Sequence, residues 1–234
     1  MRSELAPLVR PLGLTLSRER DLGLLWGAAG ATEVVASLTG MGLRAGAEAA
    51  GRMLDAASPD HLVVVGIAGG IGENVAIGDL IVPERVLNLD TGETVTPTSL
   101  GGTKPRGTLA SSDVLLEAPE QAEKLRLQGV VAIDMETAAI AAVCERRGCP
   151  WSVFRAVSDR ADDGSTDASI LGLADSQGNP NLAAVVRFVL TRPQRIPQLV
   201  RLARGASAAT RTAANASLRA LKADQERFRS SGMS

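Results

Sequence analysis

Tyrosine is absent from this chain, and three phenylalanines with two tryptophans hold its aromatic content to 2%. A protein that grips single-stranded nucleic acid by stacking bases on rings needs more of them. A net charge of −1 supplies no bulk attraction for a polyanion either, so nucleic acid is excluded as a partner. Cysteine is scarce. Cys144 and Cys149 stand five apart, a spacing that fits neither metal ligation nor redox exchange. Cys144 lies in an apolar run, where a thiol acts as a small hydrophobe. The one histidine, His61, precedes a strand-like run and is read as structural. No group of His, Cys, Asp and Glu shows metal-ligand spacing, so neither metal nor cofactor is expected. No apolar run approaches the ~20 residues that span a bilayer. Residues 1–16 carry charges where a signal peptide has its apolar centre, which leaves the cytoplasm as the expected compartment.

What is present is an ordinary globular composition, 45% hydrophobic and 22% charged, in a chain long enough for one α/β domain. Over residues 1–190, strand-like and helix-like stretches alternate. Strands are expected at 33–38, 62–65, 79–87, 130–133 and 150–157, and helices at 45–57 and 137–147. Residues 88–112 read as a loop with room for a short strand, and 162–180 as a second irregular stretch. Such alternation builds a mostly parallel sheet with helices on both faces. Ligands of these sheets bind at the carboxyl ends of the strands.

Three motifs sit at such ends. Gly66, Gly69, Gly70 and Gly72 follow a Val-rich strand in the order G-x-x-G-G-x-G. A dinucleotide fingerprint needs G-x-G-x-x-G opening a helix, so this order argues against a nicotinamide cofactor. The glycines are read as a turn where backbone approaches a ligand closely. Asp134, Met135 and Glu136 end a second strand and open a helix. Glu136 there could accept hydrogen bonds from ribose hydroxyls, or could simply favour the helix dipole. Ser158 and Asp159 end a third strand, where the carboxyl is either a reactive group or a turn residue.

Taken in order, Gly66-Ile67-Ala68-Gly69-Gly70, Ile77-Gly78-Asp79, Asp134-Met135-Glu136-Thr137-Ala138-Ala139 and Arg155-Ala156-Val157-Ser158-Asp159-Arg160-Ala161-Asp162 resemble the purine nucleoside phosphorylase/nucleosidase superfamily. Within it, the methylthioadenosine/S-adenosylhomocysteine nucleosidases are the nearest pattern. The resemblance runs over residues 1–188. It implies a three-layer α/β fold with a central mixed, mostly parallel sheet flanked by helices. It implies an enzyme that cleaves the N-glycosidic bond of a 5′-substituted adenosine and releases adenine, and a homo-oligomer. It gives Asp159 the role of general acid at purine N7. Met135 would lie against the sugar, and Glu136 would hold its hydroxyls. Glu4, from a Met-x-x-Glu pattern at Met1, would orient the attacking water. Ala68, Gly69, Gly70 and Ser158 would line the base side. Leu115 and Leu116 stand where the base-facing segment is expected, aliphatic where nucleosidases use aromatics. Family members carry a strand before the motif's Met, so the first strand is expected to be missing or truncated here. A phosphorylase needs arginines for phosphate. Arg44, after Gly40-Met41-Gly42, is one candidate, and Arg155 and Arg160 read as ion-pair partners. Hydrolysis is therefore the favoured reading over phosphorolysis.

The C-terminal segment differs in charge. From residue 181 onward there are ten Lys or Arg against two Asp or Glu. Residues 191–234 are expected to form a basic, partly amphipathic helical tail on a domain of residues 1–190. Such a tail could pack on its own acidic domain or meet an anionic membrane surface. Residues 188–204 resemble the C-terminal extension of hopanoid-associated phosphorylases, which implies adenosylhopane as a substrate. A non-catalytic nucleoside-binding protein on the same fold is the rival from another class.

Overall fold

The computed structural model describes residues 2–16, 23–114, 116, 119–162, 168–173 and 181–231. The chain enters through helix α1 (Arg2–Val9). It then forms a small antiparallel sheet of β1 (Thr15–Leu16), β2 (Leu25–Ala29) and β3 (Thr32–Ala36). The Val-rich run expected at 33–38 is thus a strand, but it lies outside the main sheet.

The main sheet has seven strands in the order β5-β10-β4-β9-β8-β6-β7. These are β4 (Leu62–Gly70), β5 (Leu80–Ile81), β6 (Arg85–Asn88), β7 (Thr94–Val95), β8 (Thr108–Ser111), β9 (Val130–Asp134) and β10 (Trp151–Arg160). β10 runs parallel to β4 from Trp151↔Leu62 to Arg160↔Gly70, and β6, β8 and β9 are parallel to one another. β5, β7 and the β4–β9 contact are antiparallel and only two residue pairs long each. The sheet is mixed, with parallel pairing carrying most of its length.

The strand expected over 79–87 is two strands, broken at Val82-Pro83, where proline has no N–H to donate. Its halves pair on opposite sides of the sheet order. Five strand spacings separate β5 from β6, about 24 Å in a flat sheet. The chain from Ile81 to Arg85 reaches about 14 Å at most. The sheet must therefore curl until these strands approach. Bonds from Arg106 N to Val82 O and from Glu84 N to Gly107 O close the gap.

Alternation along β4 and β10 divides the core. Leu62, Val64 and Ala68 pair with Trp151, Val153 and Val157, and they pack with α2 (Leu43–Ala57) and α4 (Thr137–Arg147). Val65 and Ile67 pair with Phe154 and Ala156 on the other face. That face is covered by α7 (Ile196–Ser231), through Ala209, Ala213, Ala216 and Ala220. These alanines recur at helical spacing and are at most 3% exposed. The basic segment from residue 191 onward is therefore continuous with the core over this stretch. Before it come α3 (Pro119–Leu127), α5 (Ala168–Leu171), α6 (Leu182–Thr191) and a 3-10 turn at Pro193–Arg195.

One edge stays open. Among the described pairings, β4 is bonded along its whole length to β10 but to β9 only at Gly69 and Gly70, and β3 is bonded only to β2.

Candidate active site

β4 does not turn at its glycines. It runs straight through them, and the turn comes at Gly72, with φ 87°. The expectation of a glycine-rich turn is corrected here: the glycines serve close approach within a strand. A Cβ on Gly66 would stand 2.3 Å from Arg155 Nη1 and 2.6 Å from Glu4 Oε1. Only glycine allows both side chains to reach the strand there.

Arg155 is buried at the centre of the site. Its Nη2 lies 2.7 Å from Asp134 Oδ2 and 3.2 Å from Glu136 Oε2. Its Nη1 donates to Ile67 O at 3.3 Å. Asp134 also accepts from Ser111 Oγ at 2.6 Å, from Thr137 N at 3.2 Å and from the Thr137 hydroxyl. Arg155 and Asp134 thus form a buried pair with its polar atoms satisfied, the condition under which such a pair is tolerated. Glu136 precedes the first turn of α4, and its Oε1 accepts from Gly42 N at 3.2 Å. Burial pushes its carboxyl up, and Asp134 and Glu4 add to that, while Arg155 and the Gly42 N–H oppose it. On α1, Glu4 Oε1 accepts from Ile67 N at 3.0 Å, which fixes this carboxylate against β4.

Asp159 lies inside β10, past an irregularity in register. Val157 pairs with Ala68 and Asp159 with Gly69, so Ser158 is an extra residue. A bulge of this kind breaks strict alternation and re-aims side chains, and Ser158 and Asp159 both line the same cavity. The Ser158 hydroxyl bonds to Asp159 Oδ1.

Glu4, Ala68, Gly69, Leu116, Met135, Glu136, Ser158 and Asp159, together with Arg155, line one cavity of about 1180 Å³. The volume exceeds the ~300–1,000 Å³ usual for ligand pockets. Its far end lies between the open edges of β3 and β4, beside His61. No Phe, Tyr or Trp lines the cavity among the described residues.

Other expected residues fall elsewhere. Gly70 is outside the lining, packed on Val157. Leu115 lies outside the described residues. Arg44 is exposed, pairs with Glu48 at 3.7 Å and does not line the cavity. Arg160 is structural. It holds Asp162 through two bonds and the carbonyls of Gly72 and Val75. Asp162 is lowered: burial, which would raise it, is outweighed by Arg160 and the Gly72 N–H. His61 bonds Ser152 Oγ at 2.7 Å, and burial lowers its pKa. Arg155 is the ion-pair partner that the sequence suggests, and its carboxylates, Asp134 and Glu136, are what the sequence does not reveal. The signal is an Arg inside the buried run Trp151–Val157, whose one other polar residue is Ser152.

A comparison of the sequence with known families now decides the relationship. The profile of the phosphorylase superfamily matches residues 4–106 and 104–191. The chain belongs to the phosphorylase superfamily. It is an enzyme of that superfamily. It is 26% identical over 196 residues to the 5′-methylthioadenosine/S-adenosylhomocysteine nucleosidase of Shewanella oneidensis, covering 70% of this chain and 83% of that protein. It is 27% identical over 160 residues to the Bacillus subtilis nucleosidase of the same name, covering 56% and 69%. Among solved structures it resembles the Neisseria meningitidis nucleosidase in complex with methylthio-immucillin-A. That match has a TM-score of 0.70 and 18% identity over 95% of each chain. It also resembles futalosine hydrolase of Helicobacter pylori, with a TM-score of 0.70 and 18% identity over 97% of this chain and 94% of that one. At such identities, the superfamily fold is what the structural likeness establishes.

Proposed function

We propose that this phosphorylase-superfamily enzyme hydrolyses the N-glycosidic bond of a 5′-substituted adenosine and releases adenine. One observation carries the reading: Glu4, Met135, Glu136 and Asp159, brought from α1, β9–α4 and β10, line the same cavity. Asp159 acts as general acid, giving a proton to purine N7 as the C1′–N9 bond breaks. The ribosyl group takes on oxocarbenium character. The ionised Glu136 holds the ribose hydroxyls and stabilises that charge, with Met135 against the sugar. Glu4 accepts a proton from the water whose oxygen bonds C1′. Positioned acid–base groups contribute typically 10²–10⁴-fold. Arg155 is committed to Asp134 and Glu136, and Arg44 does not line the cavity. This supports water over phosphate as the nucleophile.

The aliphatic lining suits an apolar 5′ group. Methylthioadenosine, S-adenosylhomocysteine and adenosylhopane are the substrates to compare. A homo-oligomeric state belongs to the same proposal. Adenine release from each substrate, with and without phosphate, tests it. We expect release without phosphate, and a fall of at least about 100-fold in kcat for Asp159→Asn. Release that requires phosphate would make the enzyme a phosphorylase. Nucleoside binding with no release from any of the three would leave a binding protein.

A further inference from the structure

Residues 181–204 hold five arginines and no Asp or Glu. They form α6, the 3-10 turn and the start of α7. Arg187, Arg192, Arg201 and Arg204 are exposed. No carboxylate among the described residues pairs with any of the four. Between them stand uncovered aliphatics: Val186 at 50% and Leu190 at 76% exposure, and Ile196 at 39% and Val200 at 41%. Each pair is four residues apart and shares a helix face. Arg192 and Arg195 stack on the Phe188 ring at 5.4 and 5.5 Å, which ties the end of α6 to the turn before α7. A shallow cavity of about 570 Å³ opens here, lined by Arg187, Arg192, Ser169, Asn181 and Thr191 among others. Guanidinium, hydroxyl and amide donors around a small basin match phosphate oxygens.

We propose that α6, the Pro193–Arg195 turn and the first turns of α7 form a docking face for an anionic phospholipid bilayer. The arginines would meet headgroup phosphates, and Val186, Leu190, Ile196 and Val200 would enter the headgroup–acyl boundary. Exposed aliphatics within an acid-free arginine field are the chemistry of interfacial helices. They also set a bilayer apart from nucleic acid, which rewards the charge but offers no solvent for four aliphatic side chains. The face is narrower than the whole basic segment. From Gly205 to Ala220, α7 turns its small residues into the core, and Arg211 and Arg219 lie on the back of that packed stretch. The proposal is independent of the hydrolytic chemistry, because lipid binding is read without turnover.

The test is co-sedimentation of the full chain with phosphatidylcholine vesicles, with and without phosphatidylglycerol. We expect binding only with phosphatidylglycerol, lost when salt shortens the screening length to a few ångströms. Each of Arg187→Gln, Arg192→Gln, Arg201→Gln and Arg204→Gln should raise the half-maximal lipid concentration about fivefold. Leu190→Ser and Val200→Ser should also weaken binding, while Arg211→Gln and Arg219→Gln should leave it unchanged. Unshifted thermal midpoints separate loss of the face from loss of the fold, and the salt arm needs no variant. Equal binding to both vesicle types, none to either, or retention by the fourfold Arg→Gln variant overturns the proposal. So does displacement from vesicles by duplex DNA, which would make the face a general polyanion surface.

Discussion

Glu136 shows how a single side chain is held against its own preference. Burial, with the neighbouring Asp134 and Glu4, raises its pKa above the ordinary 4.5, against the pull of Arg155. The folded state therefore binds this proton more tightly than the unfolded chain. Stability is greatest below the unfolded value and falls as pH rises through the folded one. Above the folded value the ionised carboxylate is a cost to folding, and in the proposed reaction it is the form that holds ribose. Glu136→Gln should raise the thermal midpoint near pH 7, with the gain shrinking toward pH 4.5. The same change should lower kcat/KM by about 30- to 100-fold, the worth of a charged hydrogen bond. An acid limb of kcat/KM above 4.5 in the parent, missing in the variant, would tie the two effects to one proton. A variant less stable at pH 7 would sink this account. Arg155 is the counterpart. Arg155→Met strands Asp134 and Glu136 without their shared cation, and denaturant unfolding should show a loss of about 3–5 kcal/mol. The sequence displays Glu136 and Asp159 because motif spacing singles them out. It hides the Asp134–Arg155 pair, since these residues lie on strands apart in the chain and meet only when β9 and β10 flank β4. Cys144 was legible from its apolar run. It is fully buried, with a thiol pushed up to about 12.

Among the elements, α7 packs directly on the strand that carries Asp159. Its Gly205 lies against the bulge: a Cβ there would sit 2.2 Å from Ser158 O. Backbone cannot give way as a flexible side chain can, so Gly205→Ala should push α7 from β10 where Ser158 and Asp159 are aimed. Overpacking of this kind costs about 1–3 kcal/mol. We expect a lowered thermal midpoint together with a kcat loss larger than any change in KM. An unchanged kcat would mean that the bulge is held by β4 alone. This contact could not be read in the sequence. Residues 191–234 display charge, and charge suggested a tail. The packing face is made of small residues, alanines with Gly205, Thr210 and Ser217, whose weak hydrophobicity is masked by the arginines between them. By contrast α4 was placed over residues 137–147 by its Ala/Ile/Val face, and the structure has it at Thr137–Arg147. β5 and β6 were merged because strand propensity runs on through Val82, and only pairing across the curled sheet separates them.

For the whole molecule, the open question is whether residues 1–190 can stand alone. The sheet face formed by Val63, Val65, Ile67, Phe154 and Ala156 has α7 as its cover. Fully burying a Val, Ile or Phe side chain is worth about 1.5–3 kcal/mol. Uncovering several of them at once rivals the ~5–15 kcal/mol that holds an entire domain together. The proposed division into a domain of residues 1–190 and a tail of 191–234 thus describes charge better than it describes cooperativity. A chain ending at residue 190 should lose its cooperative thermal transition and expose apolar surface to a dye such as ANS. A chain ending at residue 225 keeps the alanine stripe and Gln225, whose Nε2 donates to Ala29 O and Thr32 Oγ1. It should unfold as one transition near the parent's midpoint. The pair of truncations separates two architectures. If the shorter chain folds cooperatively and still releases adenine, α7 is an accessory and Asp159 is aimed by the sheet itself. If only the longer chain does, the helix that covers the sheet also completes the catalytic layer, and the basic face at 181–204 is carried on a rigid part of the enzyme.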